Sequence, residues 1–372
     1  MEDADGRDER GSANRALWML LGVFWNREER RFRALFRLVL AVVTFGVLSV
    51  AIGLGFQVLA IRSLVVGALT PAVPELSISA MLRVVSLLLT AVGAVLVVWL
   101  AGRFLDRRPF ATFGFRFDRG WWLDLGFGLA LGAGLMAAVF LVELAAGWVT
   151  VAEVLGPAAL SRTGIAVELL AALALFVAVG IYEELLFRGY LLTNAAEGSV
   201  GVPLVGPRAA IAVATLLTAG LFGAVHANNP NATLVSTANI TFAGVFLAAG
   251  YLLTAELAIP IGLHITWNLF QGAVFGFPVS GTTIGASVVR VEQSGPAIVT
   301  GGPFGPEAGL VGLGAMVLGI CLTIAWVRVR YDSVGLATAL AEPTLRWRER
   351  ETGATDADSG DPTGKTEATG ET

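Results

Sequence analysis

The chain has 372 residues, of which 55% are hydrophobic and 15% charged, with a mean hydropathy of +0.74 and a formal net charge of −4. Soluble domains carry roughly 25% charged residues, so this composition excludes an ordinary water-soluble globule, and no nucleic-acid partner is expected. A single cysteine, Cys321, excludes an intramolecular disulfide framework.

The first 33 residues read as a disordered tail in which 16–25 (ALWMLLGVFW) form an interfacial helix, too short to span and without a signal-peptide cleavage site. A spanning helix needs about 20 mainly apolar residues. About eight stretches qualify, near 38–61, 84–102, 123–146, 167–191, 208–226, 233–254, 258–277 and 309–327. The expected fold class is therefore all-α, a polytopic membrane helix bundle over 34–330 in contact with the lipid bilayer. Residues 331–372, rich in Asp, Glu, Gly, Thr and Ser, read as a disordered acidic tail. The chain shows no internal repeat.

Arginines set the orientation. Arg7, Arg10, Arg15, Arg27, Arg30, Arg31, Arg33 and Arg37 precede or open the first span, Arg103, Arg107, Arg108, Arg116 and Arg119 follow the second, and Arg328 and Arg330 end the last. The opposite side holds Arg62, Arg83, Arg162 and Arg290. The positive-inside rule then predicts both termini in the cytoplasm of a multi-pass plasma-membrane protein.

Ionisable groups inside a bilayer are expensive and mark function. The third span carries Asp124 and Glu143, the fourth Glu168, Glu183, Glu184 and Arg188. Adjacent carboxylates on a helix project about 100° apart, so one partner cannot satisfy both. Glu184 and Arg188, spaced i,i+4, can neutralise each other, which leaves Glu183 on another face as a candidate general base. The chain's two histidines, His226 and His264, both lie in or beside expected spans, and Asn268 shares a helix face with His264. Imidazole exchanges protons near neutral pH, and an amide can donate to a developing oxyanion.

The order Glu183-Glu184-x-x-x-Arg188, Phe222-x-x-x-His226, His264-x-x-x-Asn268 resembles the CaaX prenyl protease and bacteriocin-processing family of intramembrane endopeptidases. The resemblance covers about 167–275 and extends to Arg188-Gly189-Tyr190-Leu191 and Pro260-Ile261-Gly262-Leu263. It implies hydrolysis of a peptide bond in a membrane-associated protein or peptide, lipidated substrates included. Glu183 would activate water with the help of His226, His264 and Asn268 would stabilise the oxyanion, and Glu184 with Arg188 would hold the site together. The family is often described as metalloproteases, and Glu183, His226 and His264 could make an open zinc site. The sequence lacks His-Glu-x-x-His, so a metal-free glutamate mechanism is the expectation.

Two rival readings stay open. An ion- or proton-coupled transporter would use the same Glu and His residues as relays, but the two halves of the chain do not repeat. A non-catalytic scaffold of the same fold would be expected to have lost a motif residue. Straight spans also pose a conflict of depth. They set His226 at the outer end of the fifth span, with Glu183 and His264 near the inner ends of the fourth and seventh.

Overall fold

The computed structural model describes residues 22–69, 75–155, 164–285 and 287–347. Residues 16–21 of the expected interfacial helix lie outside these. Residues 22–24 are helical and lead into a short hairpin of β1 (Trp25–Asn26) and β2 (Arg31–Phe32). The helices follow as α1 (Ala34–Leu69), α2 (Glu75–Leu100), α3 (Arg119–Ala145), α4 (Gly164–Glu184), α5 (Thr193–Val200), α6 (Pro207–His226), α7 (Leu234–Thr254), α8 (Ala258–Asn268) and α9 (Leu310–Tyr331). Two extracore strands, β3 (Val149–Val154) and β4 (Val289–Gln293), pair antiparallel. The protein is an all-α polytopic bundle. Among the described residues seven helices are long and apolar enough to cross a membrane. The eighth expected segment, at 258–277, forms α8 and a π-helical turn, Leu269–Val274, at the centre of the bundle.

Lipid explains the inverted surface. Val47, Val50, Leu54 and Val58 of α1 are exposed, while the core mixes aliphatic and aromatic side chains with many alanines. α8 is buried along nearly its whole length, from Ala258 to Trp267. It reaches this position because α3 presents Gly128 and Gly132 to it, and a Cβ on either would run into the carbonyls of Ile259 and Leu263. Small residues permit such close backbone approach between membrane helices.

The fourth span is longer than its hydropathy suggests. α4, a π-helical turn (Leu185–Leu192) and α5 run on as one span, Ile165–Val200. At about 1.5 Å per residue, Glu183 lies about 25 Å from Val200, and His226 lies about 28 Å from Pro207. α5 packs against α6 and the two meet through a short loop, so Glu183 and His226 sit at similar depth. The depth conflict arose from ending the fourth helix at 191. Polar Thr193, Asn194 and Glu197 lower the hydropathy there, yet they are buried against protein rather than lipid.

The tail also departs from expectation up to residue 347. Leu340, Ala341 and Leu345 are buried, so this part packs back on the bundle instead of extending into solvent. The Ala337 N–H donates to the Leu252 carbonyl at 2.8 Å. Below it lies an ionic cluster. Arg31, Arg37 and Arg108, all buried, share Glu197, and Arg37 also pairs with Asp106. Charges so desolvated persist only when paired.

Candidate active site

Glu183 and Glu184 end the regular part of α4, and the π-helical turn begins at Leu185. Such turns widen the helix and occur often at functional sites. A second one, Leu269–Val274, begins directly after Asn268. As the i,i+4 spacing predicts, Arg188 Nη1 donates to Glu184 Oε1 at 2.8 Å. Its Nη2 donates to the Gly244 carbonyl of α7 at 3.0 Å, and the guanidinium carbon lies 4.6 Å from the Phe222 ring centroid. Arg188 thereby joins α4, α6 and α7.

Glu184 also meets α8. Its Oε1 accepts from His264 Nδ1 at 2.7 Å, and Glu184 is fully buried. A carboxylate cannot donate when ionised, so the Nδ1 proton stays on the ring and Nε2 is the nitrogen left for chemistry. That nitrogen lies 3.9 Å from Glu183 Oε2. The separation is too long for a direct hydrogen bond and short enough for one bridging water. Tyr182 Oη donates to the other oxygen, Glu183 Oε1, at 3.0 Å. His226 Nδ1 bonds the Phe222 carbonyl at 2.7 Å, which likewise fixes its proton at Nδ1. Phe222 stands between the two imidazoles, with ring centroids 4.6 Å from His226 and 6.5 Å from His264.

Glu183, His226, His264 and Asn268 all line one cavity of about 250 Å³. Most of the remaining wall is apolar, with Phe176, Val179, Phe246 and Trp267 among its residues. Glu183, His226 and His264 could be imagined around a zinc ion, yet among the described residues no three His, Cys, Asp or Glu side chains come together as a metal would need.

Sequence reasoning missed three residues. Tyr182 stands next to the motif glutamates but carried no assigned role. Glu307, in the turn Pro306–Ala308 before α9, lines the same cavity and accepts from the Ser280 N–H at 2.5 Å and from Gln271 Nε2. Gln271 in turn donates to the Pro278 carbonyl at 2.6 Å. Burial pushes the Glu307 carboxyl up to about 7, against the opposing hydrogen bonds from Ser280 and Gln271. With Asn229 Nδ2 donating to the Ser280 carbonyl at 3.0 Å, these bonds fix the loop around 278–282 over one end of the cavity. A carboxylate in a Gly- and Pro-rich loop gives no sequence signal. Asp124, an intramembrane acid of α3, is structural. Asp124 accepts from Trp326 Nε1 at 2.8 Å and Tyr331 Oη at 2.5 Å, tying α3 to α9. Glu143 is buried, and neither carboxylate oxygen has a hydrogen-bond partner among the described residues.

Comparison with known families finds that residues 165–270 match the family model for type II CAAX prenyl endopeptidases, Rce1-like. The match begins at the start of α4 and ends just past Asn268, so it contains every motif residue of the cavity. No curated protein and no solved structure matches the chain.

Proposed function

Taking the type II CAAX prenyl endopeptidase domain at 165–270 as premise, we propose that this chain is an intramembrane endopeptidase that hydrolyses a peptide bond in a membrane-associated protein or peptide. The observation that carries the proposal is the 3.9 Å gap between Glu183 Oε2 and His264 Nε2 in a cavity that also holds His226 and Asn268.

Glu183, steadied by Tyr182, takes a proton from a water in that gap, and the water oxygen adds to the scissile carbonyl carbon. His226, with Nδ1 committed to the Phe222 carbonyl, offers Nε2 as the assisting proton acceptor. The negative charge that develops on the carbonyl oxygen is met by the Asn268 amide, and by His264 when its Nε2 is protonated. Glu184, on Nδ1, stabilises that imidazolium, the role a carboxylate plays behind a catalytic histidine. The proton held by Glu183 then passes to the leaving nitrogen, the carbon–nitrogen bond breaks, and the products are a carboxylate and an amine. Glu184 and Arg188 position α4, α7 and α8 around this chemistry.

The apolar wall suits an apolar or lipidated substrate segment in the bilayer, and the arginine pattern favours cytoplasmic termini in the plasma membrane. The test is peptide cleavage by the purified full chain in liposomes. Farnesylated and unmodified peptides ending in a CAAX-type sequence are incubated with wild type and Glu183→Gln, and products are read by mass spectrometry. New termini from wild type and none from the variant are expected. Equal products from both, or none from wild type on either peptide or on a panel of membrane-spanning peptides, would reject the proposal.

A further inference from the structure

A second cavity, of about 300 Å³, opens at the end of the bundle opposite the capped end of the active-site cavity. It is lined by Arg30 from the β1–β2 hairpin, Arg103, Phe104 and Arg107 from the turn that ends α2, and Arg346 and Trp347 from the returning tail. At ~30 Å³ per molecule, it has room for about ten waters. Among the described residues its wall carries guanidinium groups, those of Arg30, Arg103 and Arg107 foremost, and no carboxylate.

The neighbouring arginines make this lack of acids informative. Among the described residues, Glu29, Asp106 and Glu197 are already engaged by other arginines. Glu197 serves Arg31, Arg37 and Arg108, Asp106 serves Arg37, and Glu29 serves Arg31. Arg30, Arg103 and Arg107 have no ion pair among the described residues. Each lies on an aromatic ring instead, with guanidinium carbons 4.6 Å from Trp347, 5.7 Å from Phe104 and 5.5 Å from Trp25. Stacking orders a guanidinium plane while leaving its N–H edge able to donate, the arrangement that suits bidentate binding of phosphate. The like charges of Arg30, Arg103 and Arg107 repel one another around this cavity, and an anion between them relieves that repulsion.

The surroundings identify where that anion resides. Phe104 is 63% exposed, and Trp99, Leu100 and Leu96 continue an exposed apolar strip along α2. The cavity therefore opens at the margin of the lipid-facing belt, where headgroups lie and acyl chains could follow the strip. Basic pockets at this depth are suited to anionic phospholipids.

We propose that this cavity binds a phosphate oxyanion, the chemistry of an anionic phospholipid headgroup. The full chain, purified and stripped of lipid in neutral detergent, is titrated with phosphatidylglycerol, phosphatidylcholine or inorganic phosphate. Thermal unfolding is followed together with native mass spectra of retained lipid. Phosphatidylglycerol should raise Tm and remain bound, phosphatidylcholine should do neither, and Arg103→Gln should weaken the phosphatidylglycerol effect by about tenfold. Arg103 and Arg30 are exposed, so Arg30→Gln provides a second folded variant with the same expected loss. A full effect from inorganic phosphate, lost in the same variants, would assign the site to a free phosphate ligand. Equal effects from the two lipids, or an undiminished phosphatidylglycerol effect in both variants, would overturn the proposal.

Discussion

Glu184 Oε1 receives the Nδ1 proton of His264 at 2.7 Å while also receiving Arg188 Nη1 at 2.8 Å. One carboxylate oxygen thus sets the position of α8 and the tautomer of its histidine, and its neighbour Glu183 is left to face the opposite ring nitrogen. The two glutamates divide structure from chemistry. Glu183→Gln should stay folded and lose about 10² to 10⁴ in turnover, as when a general base is removed. Glu184→Gln strands Arg188 in the interior, where breaking a buried pair costs about 3–5 kcal/mol, and should lower Tm together with yield. Turnover on a membrane-embedded peptide and melting in detergent, measured on both variants, separate the roles. An active Glu183→Gln beside a folded but inactive Glu184→Gln would reverse them.

Tyr182→Phe removes the donor to Glu183 Oε1 and little else, since the ring keeps its contact near Phe45. Hydrogen bonds to charged groups contribute about 1.5–3 kcal/mol. Turnover should fall by roughly tenfold or more, with a loss of Tm smaller than that of Glu184→Gln. Wild-type rates from the phenylalanine variant would remove Tyr182 from the site.

The raised carboxyl of Glu307 makes stability depend on pH. Its ordinary value of 4.5 is pushed to about 7 in the folded protein, so the folded state holds the extra proton between these values. Stability from this group is complete below about pH 4.5, declines as pH rises towards 7, and stays flat above. The melting temperature of wild type should fall over that window. Glu307→Gln keeps the acceptor towards Ser280 and should flatten this part of the profile. An identical slope in the variant would place the titration elsewhere.

Gly132→Ala should be poorly tolerated, because its Cβ would meet the Trp267 N–H at 2.8 Å and collide with the Leu263 carbonyl and the Thr266 hydroxyl. Overpacking of this kind costs about 1–3 kcal/mol. It would also push on the helix that carries His264, so Tm and turnover should drop together. Gly134→Ala, in the same helix with nothing within 4 Å of its Cβ, provides the control and should be neutral or slightly stabilising.

Antiparallel pairing of β3 with β4 requires residues 149–154 and 289–293 to share one side of the membrane. Reporter fusions after 155 and 295 should therefore give the same sign, and arginine placement makes that sign extracytoplasmic. Opposite signs would contradict the pairing itself.

Much of this architecture was legible in the residues. Apolar runs located the spans, and the i,i+4 arithmetic paired Glu184 with Arg188. What composition could not supply was the environment of polar residues. The run from Thr193 to Glu197 reads as a helix end in lipid, but it remains a helix because α6 and the hairpin arginines surround it. That extension is what levels Glu183 with His226. Glu307 escaped because its loop has no periodicity, and Gln271, in the π-helical turn Leu269–Val274, gains its significance only where the loops fold over the cavity. His264 was placed in the site by its motif, but its attachment to Glu184 depends on the close approach of α3, α4 and α8, which spacing along the chain does not encode.

The buried cluster around Glu197 bears on biosynthesis. Arg31 and Glu197 are 166 residues apart, and Arg37 and Glu197 are 160 apart. Translation at ~5–20 residues per second leaves roughly ten to thirty seconds between them. During that interval the arginines of the hairpin and first helix lack this counter-ion. The amino-terminal end can take its final seat only after the fourth helix has emerged, which makes docking of the hairpin a late step in assembly and gives the translocation machinery an unfinished bundle to hold.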